Sequence, residues 1–573
     1  MKRKLVSFWA IILTLALLAA CGQAAAPGAG TLPAATPAPA AAAEAPAQGQ
    51  QAAEPVPVIT GERMQGGTLV TGGHIVDAQL VALNPFLPAQ TSMDVLNVVY
   101  ERLLFFNHVM GEMEPMLATG FEWSSDYTQL IFSIRQGVQW HDGQPFGPDD
   151  VVFTFEALRD NPILDRFGLW QHLTGVRAEG NTVVFELVRP FLSLPFYTDE
   201  IRIVPKHIWE NSPDVVMELN PNPIGTGPFI WRFHNVGTDV QFDANPNYWG
   251  GAPHVDELLF MTFNTAQNLS LALLNQDLHV SVGIAMPFIP ELRTIQGSDI
   301  QIMSGFSMWA VNVNHENELL SDPVVRRAMA MAINQEDLIH RVEQSVVFPT
   351  SPGFLPAVFG DYVSQEAFNS LNFDPAGAVE LLLEAGYVRG TDGIFSTPDG
   401  RRLSFTYHNA AGAPAQQMAA GMIQQWLLNI GIEIIPRLAT WPELTHLLQV
   451  GEFDLLQNSI TVPPDPFAAL NTVFHSSMTA PAGESTPGLN YFRFRNDRVD
   501  ALLDEAMTST DGARRREIFM EVQNIIAENA VFLPMYNTGP RVPHFRQSQV
   551  GGFPDDVSIH TNRGLVQLYF IQQ

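Results

Sequence analysis

Between Ala118 and Phe155 the chain changes its hydrophobic period, and that change fixes what this region can become. Leu130, Phe132 and Ile134 fall on one face of an extended segment, with Ser133 and Arg135 on the other. Asp142-Gly143 supplies a tight turn. Gly147-Pro148-Asp149-Asp150 then opens a helix. Pro148 suits the first helical position, where a missing N–H costs nothing, and two carboxylates favour the positive end of the helix dipole. Val151, Phe155 and Leu158 recur at helical spacing and predict a stripe facing a core.

The N-terminus reads differently. Lys2, Arg3 and Lys4 precede an apolar run from Leu5 to Leu17, too short and wrongly flanked for a membrane span. Leu18-Ala19-Ala20-Cys21 resembles a bacterial lipobox, which implies export, cleavage before Cys21 and lipid on its sulfur. Cys21 is the only cysteine, so no intramolecular disulfide is expected. Residues 1–21 are therefore expected to be a lipoprotein signal peptide. Residues 22–61 are rich in Ala and Pro and show no apolar period. Such a segment cannot bury enough surface to offset its conformational entropy, which predicts a disordered spacer.

The body from Glu62 onward is too long for one hydrophobic core and predicts two or more lobes. A net charge of −29 argues against nucleic acid and against an anionic bilayer face as partners. Lysine is almost absent: Lys2, Lys4 and Lys206 are the only ones. Motifs of catalysis are missing, with no GxSxG, HExxH, CxxC or Walker A string. The fifteen histidines show no ligand spacing. No enzyme activity, cofactor or metal site is expected. Gly225-Thr226-Gly227-Pro228-Phe229 fails as a dinucleotide fingerprint, because position 230 is Ile, and reads as a turn entering a strand. Val95 to Leu104 predicts a helix. Asp322-Pro323 and Asp374-Pro375 predict two capped helices, with Val324, Ala328, Met331 and Ala332 buried in the first and Val379, Leu382 and Leu383 in the second.

One resemblance organises these segments. Leu117-Ala118, Trp123, Asp126, Phe132, Ile134-Arg135, Gly137-Val138, Trp140-His141-Asp142-Gly143 and Asp150-Val151-Val152-Phe153 closely resemble the signature of family 5 extracytoplasmic solute-binding proteins. These are receptors of peptide, opine and nickel ABC importers. Gly225–Phe229 and Asn245-Pro246-Asn247-Tyr248-Trp249-Gly250-Gly251 resemble further blocks of that family. The likeness runs from Gly66 to about Tyr536. It implies an α/β fold of the periplasmic-binding-protein-like type II class, with two lobes joined by two hinge strands and an extra subdomain in lobe I. Lobe I is expected at 62–310 with the extra subdomain at about 102–223, lobe II at 311–538, and a C-terminal return to lobe I at 539–573. The crossings are expected near Met308–Asn314 and Leu533–Pro540. The resemblance further implies a monomer held at the outer face of the membrane, or in the periplasm, by its lipid alone. Its partners would be a small-molecule or peptide ligand and the permease and ATPase subunits of an importer.

In the family, the strand at Ser307–Asn314 runs past the ligand cleft, which makes Trp309 a candidate platform beside a core role. Trp441 lies where family members often carry a cleft aromatic. Peptide-binding members place a Trp, and soon after it an acid for the peptide ammonium, in the stretch that here reads Phe453 to Pro466. This chain has Ser459 or Ile460 for the Trp and Val462 or Pro463 for the acid. Only Asp465-Pro466 survives, and Asp465 also suits a helix cap. Gln457, Asn458 and Ser459 would offer neutral hydrogen bonds. A buried ammonium without a carboxylate is costly. That moves weight toward a neutral or differently charged ligand, yet peptide remains the leading class, with an oligosaccharide or another small solute second and a metal chelate third. An exported hydrolase, or a sensor without a transporter, is the remaining alternative.

Overall fold

The computed structural model describes residues 63–73, 83–86, 93–107, 112–165, 168–281, 283–295, 297–302, 305–539, 541–545, 550–552 and 562–571. The expected signal peptide, the spacer at 22–61 and Cys21 lie outside the described residues.

The 118–155 region forms as its periodicity requires. Strand Gln129–Ile134 lies between strands Ala118–Trp123 and Thr182–Leu187 in a four-stranded antiparallel sheet completed by Leu173–Glu179. Leu130, Phe132 and Ile134 are buried, and so are Val151, Phe155 and Leu158 on helix Pro148–Asp160. Asp150 ties the turn to the helix. One carboxylate oxygen accepts from the Gly147 N–H (3.0 Å) and from Trp140 Nε1 (3.3 Å), and the other accepts from the Lys206 N–H (2.9 Å). Burial pushes this carboxyl up from its ordinary range.

A second sheet has the order Thr68–Gly73, Glu257–Thr262, Asp239–Ala244, Phe229–Asn235. Its first pair is parallel and the others antiparallel. Near the chain end, Tyr569–Ile571 pairs with Arg63–Met64, which returns the C-terminus to the side of the first strand.

The third sheet is five-stranded and mixed, in the order Glu433–Ala439, Ser404–Ala410, Leu455–Thr461, Ser307–Val313, Phe532–Thr538. The first three strands are mutually parallel and the last two alternate in direction. A paired ribbon continues from the far edge of this sheet. Ser307–Val313 pairs with Phe532–Thr538, and just before and after them Ser298–Ile302 pairs with Arg541–Phe545. Both chain crossings therefore run side by side. Between the two paired stretches, a side-chain carbon at Gly305 would lie 2.5 Å from the Gly539 Cα and 2.5 Å from the Thr538 carbonyl oxygen. Only glycine permits that approach. The buried Asn537 side chain donates to the carbonyls of Gly305 (3.1 Å) and Ser307 (3.0 Å) and fixes the spot.

Three expectations are corrected. The helix read into Val95–Leu104 is only Met93–Asn97, and a strand already runs over Leu104–Asn107. The carbonyls of Val98 and Val99, which a longer helix would use internally, accept instead from the N–H groups of Phe229 (3.3 Å) and Gly227 (2.9 Å). On helix Pro323–Met331, Ala328 is buried as expected, as is Ala332 just past its end, but the rest of the face is rotated: Val325 and Met329 are buried, while Val324 and Met331 are only partly so. Arg326 draws that face inward, donating to the carbonyls of Leu320 (2.7 Å), Ser321 (2.7 Å) and Asn529 (2.8 Å). On helix Pro375–Glu384, Ala378 and Leu382 are buried but Leu383 is 52% exposed, because the helix offers a narrow contact face. The caps themselves form: Asp322 accepts from the Val324 N–H and Asp374 from the Gly377 N–H, each at 2.9 Å.

Candidate binding cleft

In open α/β sheets, ligands settle outside the carboxyl ends of parallel strands, where loops leave a crevice. In the five-stranded sheet, that edge carries Ala410, Ala439 and Thr461 at the ends of the parallel strands, and Ser307 at the start of their antiparallel neighbour. The ribbon leaves the sheet from this same edge.

Two tryptophans meet there. Trp309 sits on the 307–313 strand, opposite Ser459 on one side and Tyr536 on the other. Trp441 begins helix Trp441–Val450, whose N-terminus Thr440 and Glu443 cap reciprocally. The ring centroids are 6.4 Å apart at 53°. Trp441 is 47% exposed, and Trp309 is half-buried against the lobe II core. Ser459, opposite Trp309, and Asn458, on the other strand face opposite Ala310, are both half-buried.

Gln457 and Asp465, also expected to contact ligand, are buried and take partners within the fold. Gln457 is 1% exposed and its Oε1 accepts from the Tyr407 hydroxyl (3.0 Å); it shares the strand face of Ser459 but lies two residues further from the sheet edge. Asp465 is 2% exposed and accepts from the Ala468 N–H (3.0 Å) as the cap of helix Pro466–Phe474. Burial raises its carboxyl, and Arg515 and the Ser193 hydroxyl pull it back.

Past Ser459 the chain borders a cavity of about 750 Å³. Thr461 to Pro464, Asn471, Met478 and Tyr491 form its lobe II wall. Phe196, Tyr197 and Glu200, on and after helix Leu194–Thr198, form the opposite wall. Burial raises the phenol of Tyr197, helped by the nearby Asp465 and Asp165 charges, and burial alone raises that of Tyr491, so both stay neutral. The sequence flagged one wall through the altered stretch before Pro466. It gave no sign of the 196–200 wall, since nothing local announces a contact made across more than two hundred residues.

The sequence blocks that carried the resemblance serve another purpose. The buried Glu101 accepts from the Thr226 hydroxyl (2.9 Å), the Tyr248 hydroxyl (2.7 Å) and Trp249 Nε1 (2.8 Å). The Arg135 guanidinium lies 4.0 Å from the Trp249 ring centroid. His141 Nδ1 accepts from the Gly225 N–H (3.3 Å) while Nε2 donates to the Gly227 carbonyl (2.9 Å), and burial lowers its pKa to about 4. These contacts lock the extra subdomain's turn onto the second sheet.

Comparison with known proteins agrees with this architecture. Residues 112–480 match the pattern of bacterial extracellular solute-binding proteins, family 5. The oligopeptide-binding protein AppA of Bacillus subtilis is 25% identical over 496 residues, spanning 83% of this chain and 87% of that protein. The dipeptide-binding protein of Escherichia coli is 26% identical over 475 residues, 77% of this chain and 84% of that protein. A crystal structure of a periplasmic oligopeptide-binding protein from Thermotoga maritima superposes with a TM-score of 0.78 at 25% identity, covering 88% of this chain and 99% of that one. With mannohexaose bound, a structure from the same organism gives 0.69 at 25% identity, covering 88% and 98%. Two lobes joined by a strand ribbon, an extra subdomain and a pattern match across most of the folded body make one conclusion: this chain belongs to family 5 of the bacterial extracellular solute-binding proteins.

Proposed function

We propose that this protein is the capture component of an ABC importer for peptide-like solutes, tethered outside the membrane through Cys21. The observation that carries the reading is the pair of crossing strands beside a cavity walled from both sides. Such a body can open and close about the ribbon. A solute that touches both walls then favours the closed state by its higher affinity for it. Lobe I is taken as 62–310 with the C-terminal return at 539–573, and lobe II as 311–538, with the strand ribbon near their junctions. Trp309, Trp441, Asn458 and Ser459 are proposed to contact ligand at the sheet edge. The ligand leaves unchanged, delivered to permease and ATPase subunits. The names of AppA and of the E. coli relative support peptide as the ligand class.

A second reading has its own support. The altered stretch puts Val462 and Pro463 where peptide receptors carry an acid, and a family relative holds mannohexaose. The tryptophan pair, with Trp441 exposed, suits a sugar face as well as a peptide side chain.

Mass spectrometry of small molecules released on denaturing the purified protein separates the two. A mixture of short peptides is the expected result, together with a higher unfolding temperature on adding them back. An oligosaccharide without peptides would establish the second reading, and turnover of any added solute would overturn both.

A further inference from the structure

The charge pattern of the 750 Å³ cavity is one-sided. Among the described residues lining it, Glu200 is the only carboxylate and there is no Lys, Arg or His. The Glu200 side chain is half-buried and makes no hydrogen bond or ion pair among the described residues. Its neighbour Asp199 is committed, accepting from Arg102 Nη1 (2.9 Å) and from the Phe106 N–H (3.1 Å). The cation that feels Glu200 is Arg202, which is 2% exposed and donates to Asn97 Oδ1 (2.6 Å), behind the wall rather than in the cavity. On the facing wall, Pro463 and Pro464 have no N–H, so the backbone there offers acceptors without donors. Neutral Tyr197 and Tyr491 add aromatic faces, which attract cations.

A half-buried carboxylate with no cation beside it among the described lining residues is badly matched to an anionic guest and well matched to a cationic one. We infer that this cavity receives a primary ammonium group of the solute, held by Glu200 from the extra-subdomain wall. The assignment rests on the peptide reading above and gives it a polarity: the amino-bearing end lies between the 196–200 wall and the 461–464 wall. It also supplies a carboxylate from the wall opposite the stretch that lacks one.

The test uses a proteolytic digest of a soluble protein, half of it N-acetylated with an isotopic label, passed over the immobilised full chain and read by mass spectrometry. Retention of free-amine peptides at least tenfold over their acetylated forms is expected. Glu200→Gln should bring that ratio close to one, while Glu200→Asp, which keeps the charge, should restore much of it. Acetylated peptides that carry a free lysine amine separate two sources of the same group: their loss assigns an α-ammonium, and their retention a side-chain ammonium. Equal retention of all forms by the unaltered protein, or unchanged discrimination in Glu200→Gln, would overturn the assignment and leave the peptide reading standing. Retention of no peptide at all, whatever mannohexaose does to the unfolding temperature, would overturn both.

Discussion

Trp309 and Trp441 come from segments more than a hundred residues apart, yet their rings meet at 6.4 Å over the carboxyl edge of the lobe II sheet. Trp309 is anchored in the sheet and half-buried, whereas Trp441 stands 47% exposed at the start of its helix. The pair is thus one fixed ring and one available ring. Trp441→Ala is expected to weaken solute binding about tenfold, roughly 1–1.5 kcal/mol, with little change in unfolding temperature. Trp309→Ala should lower both. Isothermal titration with a retained peptide, beside thermal denaturation, measures the difference; equal loss of stability in the two variants would assign both rings to packing.

Asp465 provides the opposite case. Its carboxylate caps the 466–474 helix and is buried, so Asp465→Ala should cost roughly 0.5–2 kcal/mol of stability in chemical denaturation. Asp465→Asn, which retains a capping oxygen, should cost less. Neither change should alter peptide affinity among molecules that remain folded.

His141 predicts a dependence on acidity. The fold holds its imidazole neutral, with a pKa of about 4 against an ordinary 6.5, because burial disfavours the charged ring. The folded value lies below the unfolded one, so the contribution is complete above pH 6.5 and is lost as pH falls toward 4. Its size is on the order of 1–3 kcal/mol. His315, lowered to about 3 mainly by burial, acts in the same direction. The unfolding temperature of the unaltered protein should drop across this window. His141→Gln should be less stable at neutral pH and show a shallower drop.

Gly225 presses against backbone. A side-chain carbon there would fall 1.9 Å from the Val99 carbonyl oxygen, which cannot swing away as a side chain could. Gly225→Ala is expected to cost at least roughly 1–3 kcal/mol, read as a lower denaturation midpoint with an unchanged slope.

These positions explain what the sequence could and could not disclose. Trp140, His141, Asp150, Gly225 and Trp249 stand out in the chain because they satisfy one another, through the bonds of Asp150, His141 and Glu101. A pattern held by mutual packing is legible as a fold. The helix read into Val95–Leu104 failed because the Val98 and Val99 carbonyls are used by a strand more than a hundred residues on. Rotation of the 323–331 helix came from Arg326, whose aliphatic stem and backbone-seeking head reverse the burial that polarity predicts. At the cleft, Trp309 and Trp441 could be named from their segments, but not their meeting. Gln457 shares a face with Ser459, but its place deeper in the sheet, where its oxygen takes the Tyr407 hydroxyl, is set by strand pairing that polarity alone does not show. Glu200 carried no signal, since its setting is assembled from two halves of the chain.

The glycine contact between residues 305 and 539 has a mechanical result. Two separate tethers would let the halves slide, twist and part in any combination. Strands bonded to each other on both sides of a bare backbone contact act as one strap, stiff within its own plane and pliant across it. Bending between the halves would then be confined to a single angle.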